Sequence, residues 1–174
     1  MSATAWGVDV LKSIGERMPR RMRGNLIVRA FGLTKIPILG FIGPKVVELD
    51  DERCVIRIPL NWRTRNHLRV MYIGVLTAGA DLAGGLMAME VIFGLPQRVD
   101  LLFKDFKADF VRRAGHDVYF AVEQGAEIRS AVDRTIETGE RQNVSVNVTC
   151  YCEAPGGREV VANVVLTLTM KKRG

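Results

Sequence analysis

The chain has 174 residues with 48% hydrophobic and 25% charged residues, enough for a sizeable buried core in one domain and too apolar for a disordered chain. Its formal net charge of +6 points to an anionic partner, yet no aromatic residues interleave with the arginines as single-strand nucleic-acid binders require, so nucleic acid is not expected. Three cysteines make no disulfide framework, and two histidines supply a metal site poorly; the cysteines read as small core residues of a reduced, cytoplasmic protein with no metal.

The N-terminal MSATAWGVDV lacks a basic segment followed by an apolar core, which argues against a secretory signal. Trp6, Val10, Ile14 and Met18 recur at helical spacing and predict an amphipathic helix ending before Pro19. Asn25 to Gly32 predicts a second, short helix. Ile36 to Pro44, punctuated by Pro37, Gly40, Gly43 and Pro44, reads as an apolar loop. Residues 1–44 are thus expected as an N-terminal extension that covers one end of the core. The competing reading is a membrane-surface module formed by Arg17–Arg23 and Ile36–Ile42.

Strand signals follow. Val46 to Leu49 and Cys54 to Leu60 flank a turn at Asp50-Asp51, with Cys54, Ile56 and Ile58 on one face. Beyond a basic loop, the stretch Met71–Leu95 is long enough to mimic a membrane span. Asp81 and Glu90 lie inside it, however, and carboxylates at bilayer depth are expensive. It is therefore read as a buried core helix, with no integral membrane association.

Val99 to Val111 and Asp117 to Glu123 are expected strands joined near Gly115. Gly125 to Thr138 places Ile128, Val132 and Ile136 on one helical face. Arg141 to Glu153 and Glu159 to Lys171 alternate as two long strands around the turn Pro155-Gly156-Gly157, and Cys150 and Cys152 share the face of Val144, Val146 and Val148. Strands with few helices between them argue for an antiparallel sheet and an α+β class, with one long apolar helix packed on the sheet. The alternating terminal strands leave edges that need partners, so a homodimer or tetramer is expected.

The most informative segment is Asn61 to Gly94. A polar loop with Arg63, Arg65 and Arg69 runs into the long helix, where Asp81 stands among Ala78, Gly79, Ala80, Ala83, Gly84 and Gly85. An ionised group in such a setting is costly unless paired, and a perturbed carboxylate is a candidate for chemistry. The alternative is that Asp81 caps a neighbouring loop or faces a subunit interface. Thr77 lies four residues before Asp81 on the same face and could line its pocket or only support it. Asn66 could cap the helix or bridge loop to sheet, and His67 reads as structural.

The layout resembles the hot-dog fold, in which a curved antiparallel sheet wraps one central helix; here residues 45–174 would form that core. The resemblance becomes specific at Asn66. Thioesterases of the phenylacetate-pathway type carry an asparagine, a glycine three later, a His-Gly-Gly six later, and a helix aspartate nine after that histidine. Asn66, Gly74 and Asp81 match this pattern, while Arg69, Tyr72 and Ile73 depart from it. The chain also resembles a loosely defined, largely uncharacterised branch of the superfamily.

The resemblance implies hydrolysis of an acyl-CoA or acyl-carrier thioester, with no cofactor. It implies Asp81 as base or nucleophile, amides of Ile73 and Gly74 on the carbonyl oxygen, and Asn66 orienting substrate or water. Arg63, Arg65 and Arg69 would face nucleotide phosphates, Tyr72 would substitute for the histidine as donor, and Thr77 would line the pocket. A non-catalytic acyl-thioester binding protein of the same fold is the alternative, favoured by the missing histidine.

Overall fold

The computed structural model describes residues 18–93 and 95–173. The predicted helix carrying Trp6, Val10 and Ile14 lies outside the described residues. In chain order the elements are α1 (Arg20–Thr34), α2 (Pro37–Ile42), β1 (Lys45–Leu49), β2 (Cys54–Ile58), α3 (Ile73–Ile92), β3 (Val99–Phe110), β4 (Val118–Val122), α4 (Gly125–Thr138), β5 (Gln142–Ala154) and β6 (Gly157–Lys172). The strands form one antiparallel, curved six-stranded sheet in the order β1-β2-β4-β5-β6-β3. This is an α+β, hot-dog architecture with α3 held against the sheet.

The sheet presents alternate residues to α3, as a period of two requires. Cys54, Ile56 and Ile58 of β2, Val118, Phe120 and Val122 of β4, Val146, Val148 and Cys150 of β5, and Leu166 and Leu168 of β6 are all buried in one cluster with Val75, Ala80, Ala83, Leu86 and Met87 of α3. The small residues of α3 let the sheet close on the helix. A Cβ at Gly79 would collide with the Phe120 ring, and one at Gly84 would stand 3.1 Å from Leu166 Cδ1. The outer face carries a smaller cluster in which Tyr151 stacks on Tyr119 at 5.2 Å between centroids and Arg158 lies 4.1 Å above the Tyr151 ring. A bulge between Cys150 and Tyr151 leaves all three of Cys150, Tyr151 and Cys152 buried, with the two thiols in the core cluster.

Two predicted elements differ from what the structure holds. The second helix runs five residues further toward the N-terminus and two further toward the C-terminus than Asn25–Gly32. The stretch Ile36–Pro44 is not a loop: it contains α2, with Pro37 at the first helical position and Gly43 closing it in the left-handed region at φ +64. Proline there has no amide to lose, and glycine suits the terminating conformation. Gly32 and Gly40 let α1 and α2 touch backbone to backbone.

These helices cover the β1 end of the sheet. The carboxamide of Asn25 pairs with the backbone of Val46 in both directions, Nδ2 donating to Val46 O at 3.0 Å and Val46 N donating to Oδ1 at 2.9 Å. Asn25 thus satisfies the outward backbone groups of Val46 at the edge of β1. Arg23 forms an ion pair with Glu90 of α3, whose side chain is only 6% exposed, and stacks over Phe93 at 5.0 Å. Asp51 in the β1–β2 turn receives Arg20 of α1 at 2.8 Å and Arg129 of α4 at 2.9 Å.

At the other end, β3 pairs with β6 alone and is an open edge among the described residues. Its partners across the ladder, Leu168, Leu166 and Ala162, are buried on the helix-facing side, so Phe103, Phe106 and Phe110 lie on that side too. All three nevertheless stay 40–43% exposed, because α3 reaches only as far as the contact between Phe103 and Gly85.

Candidate functional site

The helix α3 is long and apolar enough to cross a membrane, but 56% of its apolar window is buried inside this fold; it is the core helix. Ile73, Thr77 and Asp81 follow one another at intervals of four and share a face. That face looks away from the sheet: Ile73 is exposed, while Thr77 and Asp81 are half-buried. Thr77 Oγ1 donates to Gly74 O at 3.0 Å, back along its own helix, and makes no bond to Asp81. It shares the face of the carboxylate without fixing it.

No hydrogen bond or ion pair reaches the Asp81 carboxylate among the described residues. Burial pushes its carboxyl above the ordinary range, because the charged form is partly removed from water. A half-buried carboxylate with no partner among the described residues is poised to accept a proton from something brought to it.

The start of α3 is uncapped: Tyr72 is the N-cap residue and its side chain makes no capping bond. Val75 N and Leu76 N both donate to Tyr72 O, whereas Ile73 and Gly74 precede the first intrahelical acceptor. Their amides form a positive, donor-rich end suited to an anionic oxygen. The Tyr72 ring lies across Gly74, where a Cβ would collide with its Cε1. Tyr72 is itself half-exposed. Tyr72, which stands where the resembled thioesterases carry histidine, therefore lies against Gly74 at the start of the helix.

The loop before the helix is built from within. Thr64, fully buried, donates to Pro59 O at 2.7 Å and accepts from Asn61 N at 2.8 Å. Asp117 accepts from Leu60 N at 2.7 Å while forming an ion pair with Arg57, which pins the loop's first residue to β2 and β4. Asn66 Oδ1 accepts from Leu68 N at 2.9 Å and Val70 N at 3.3 Å. Asn66 thus neither caps α3 nor bridges to the sheet; it shapes a tight turn whose fourth residue, Arg69, adopts φ +60. Thr64 and Asp117 escaped sequence reasoning, since a Thr in a polar loop and an Asp before a strand are ordinary.

The basic residues divide. Arg65 and Arg69 are exposed on the turn. Arg63 lies 5.8 Å from the Phe41 ring centroid and 5.9 Å from that of Trp62. No contact joins the three to one another among the described residues.

Within one chain the carboxylate and the amides are also apart. Eight residues separate Ile73 from Asp81, a rise of about 12 Å along the helix. One thioester carbonyl cannot meet both on a single α3.

The family model for a domain of unknown function, DUF4442, matches residues 24–170. No curated protein matches the chain. Among solved structures, a Pseudomonas aeruginosa protein of unknown function, described as a probable thioesterase, is 21% identical with a TM-score of 0.69, covering 90% of this chain and 97% of its own. A Chlorobaculum tepidum protein of unknown function is 14% identical with a TM-score of 0.71, covering 88% and 97%. A thioesterase family protein from Silicibacter pomeroyi is 19% identical with a TM-score of 0.62, covering 84% and 96%. At these identities the likeness is one of fold.

Proposed function

The chain belongs to the DUF4442 family, and from its site we propose that it hydrolyses an acyl thioester carried on CoA or an acyl carrier. The observation that carries this reading is Asp81: a half-buried, unpartnered carboxylate with a raised pKa, on a core helix whose first amides are open. The fold it shares with proteins described as thioesterases supports it.

In this reading the site is composite. Ile73 and Gly74 of one subunit hold the thioester oxygen, and Asp81 of another faces the same carbonyl. Asp81 takes a proton from water, the resulting hydroxide bonds to the carbonyl carbon, and the charge that develops on oxygen is stabilised by the two amides. The C–S bond then breaks, and the departing thiolate takes the proton back from Asp81. Arg65 and Arg69, exposed ahead of the helix, face the carrier's phosphates, and Thr77 lines the pocket beside Asp81. Asn66 acts by shaping the turn that presents them. Pairing through the open β3 edge forms the homodimer, from which a tetramer could be built. The three free, buried thiols support a reducing, cytoplasmic compartment.

A second reading is favoured by Tyr72. Its ring covers Gly74 where thioesterases of the phenylacetate-pathway type carry histidine, which fits a protein that holds an acyl thioester without turning it over. A panel of short, long and aromatic acyl-CoA substrates, read by thiol release, separates the two. Hydrolysis of at least one class, lost in Asp81→Asn, is expected. Absence of hydrolysis throughout, with acyl-CoA still bound, would leave the binding protein in its place.

A further inference from the structure

The surface ahead of α3 has a composition that thioester chemistry does not require. On α2, Leu39 and Ile42 face inward, while Ile38 and Phe41 point outward and are 49% exposed. Phe41 meets Trp62, itself 72% exposed, edge to face at 6.1 Å, and the Arg63 guanidinium lies near both rings. Leu68 stands 59% exposed in the turn shaped by Asn66. Residues 34–47 and 59–73 together carry five basic residues, Lys35, Lys45, Arg63, Arg65 and Arg69, and no Asp or Glu.

Exposed aliphatic and aromatic side chains interspersed with cations, and with no anion within these two stretches, suit one environment above others. Trp and Phe settle at the headgroup boundary of a bilayer, where their rings leave water, and nearby cations are drawn by anionic headgroups. A second copy of the chain is disfavoured here, because a two-fold contact would set five cations against the same five. Single-stranded nucleic acid needs open ring faces for stacking, and the rings here are engaged by each other and by Arg63.

We propose that the α2 face and the loop 59–73 dock this protein reversibly on an anionic lipid surface. Ile38, Phe41, Trp62 and Leu68 enter the headgroup boundary, and Lys35, Lys45 and Arg63 contact lipid phosphates. Because Tyr72 and Ile73 follow directly in the chain, docking places the start of α3 at the membrane. The surface stands on its own exposure and charge, whether or not Asp81 is catalytic.

The test uses the full chain with Trp6→Phe, which leaves Trp62 as the sole tryptophan of the two in the sequence. The protein should sediment with vesicles of an equal mixture of phosphatidylcholine and phosphatidylglycerol, and poorly with phosphatidylcholine alone. Trp62 emission should shift to the blue on binding, and added salt should weaken the uptake. Arg63→Glu changes two charges and should reduce partitioning by roughly tenfold or more, since each charge near such a surface is worth about fivefold. Ile38→Ser should also reduce it, while Arg63→Lys should retain most of it; circular dichroism checks that each variant is folded. No sedimentation with the mixed vesicles overturns the proposal, as does uptake that neither Arg63→Glu nor Ile38→Ser diminishes. Self-association that Ile38→Ser abolishes, with no vesicle uptake, would assign the face to a second copy instead.

Discussion

The ring of Phe120 occupies the space that a side chain on Gly79 would need. Both residues are fully packed, one at the centre of β4 and the other at the middle of α3, so neither can yield cheaply. Gly79→Ala should gain about 1 kcal/mol in helix propensity and lose more to overpacking, for a net loss of about 1–2 kcal/mol in chemical denaturation. Phe120→Leu should partly restore the Gly79→Ala variant, although alone it destabilises. Additive losses in the double variant would show that the two positions are not coupled.

Asp81 links stability to pH. Its folded pKa is raised, so the native state holds the proton more tightly than the unfolded chain does, and ionisation works against folding. The wild type therefore carries a deficit that develops as pH rises from the ordinary carboxylate range through the raised value, and that persists at neutral pH. Asp81→Asn has no such deficit. Its melting temperature should exceed that of the wild type at neutral pH, with the difference fading as the pH is lowered into the acid range. In thioester hydrolysis the same variant should lose on the order of a hundredfold to ten-thousandfold in rate. An Asn variant with full activity at every pH would falsify the base assignment.

Arg65 and Arg69 are exposed and carry no ion pair among the described residues. Replacing both with alanine should weaken CoA binding, measured by calorimetry, while leaving the melting temperature within about 0.5 kcal/mol equivalent of the wild type. The difference should shrink as salt is added, because exposed charges are screened over roughly 10 Å at moderate ionic strength. Equal affinity in wild type and variant would remove these residues from the phosphate site.

The half-exposed phenylalanines of β3 fit the proposed pairing of that edge strand with a second copy. Light scattering at micromolar concentration is expected to give a dimer mass or a multiple of it. Phe106→Asp should shift the mass toward the monomer and, with the site composite as proposed, abolish thioester turnover even with Asp81 intact. A wild-type monomer that still hydrolyses thioesters would count against the shared site.

Much of this organisation can be read from residue spacing alone. The spacing of Ile128, Val132 and Ile136 predicts α4 with the bounds the structure has, and the alternation in β5 and β6 predicts both strands to within two residues. The stretch Ile36–Pro44 misleads for a physical reason: Pro37 and Gly43, which read as breakers, are the start and stop of a single short helix. The Arg23–Glu90 pair lies 67 residues apart in sequence, and no local pattern announces it. Asp81 is conspicuous in the sequence because it is the sole charged residue between Arg69 and Glu90. The turn-shaping role of Asn66 is not, since an asparagine's acceptors and donors are chosen by a loop that must fold first.

The bidentate grip of Asn25 on Val46 has a consequence at the far end of the sheet. A sheet with two open ends can add copies at both and grow without limit. Here the Asn25 carboxamide and the helices α1 and α2 guard one end, which leaves β3 as the end at which the proposed pairing would occur. Two chains that met there would use up the free end of each, so any larger assembly would have to be built through other surfaces. Asn25→Ala would free the outward backbone groups of Val46 at the guarded end without touching any residue of the site.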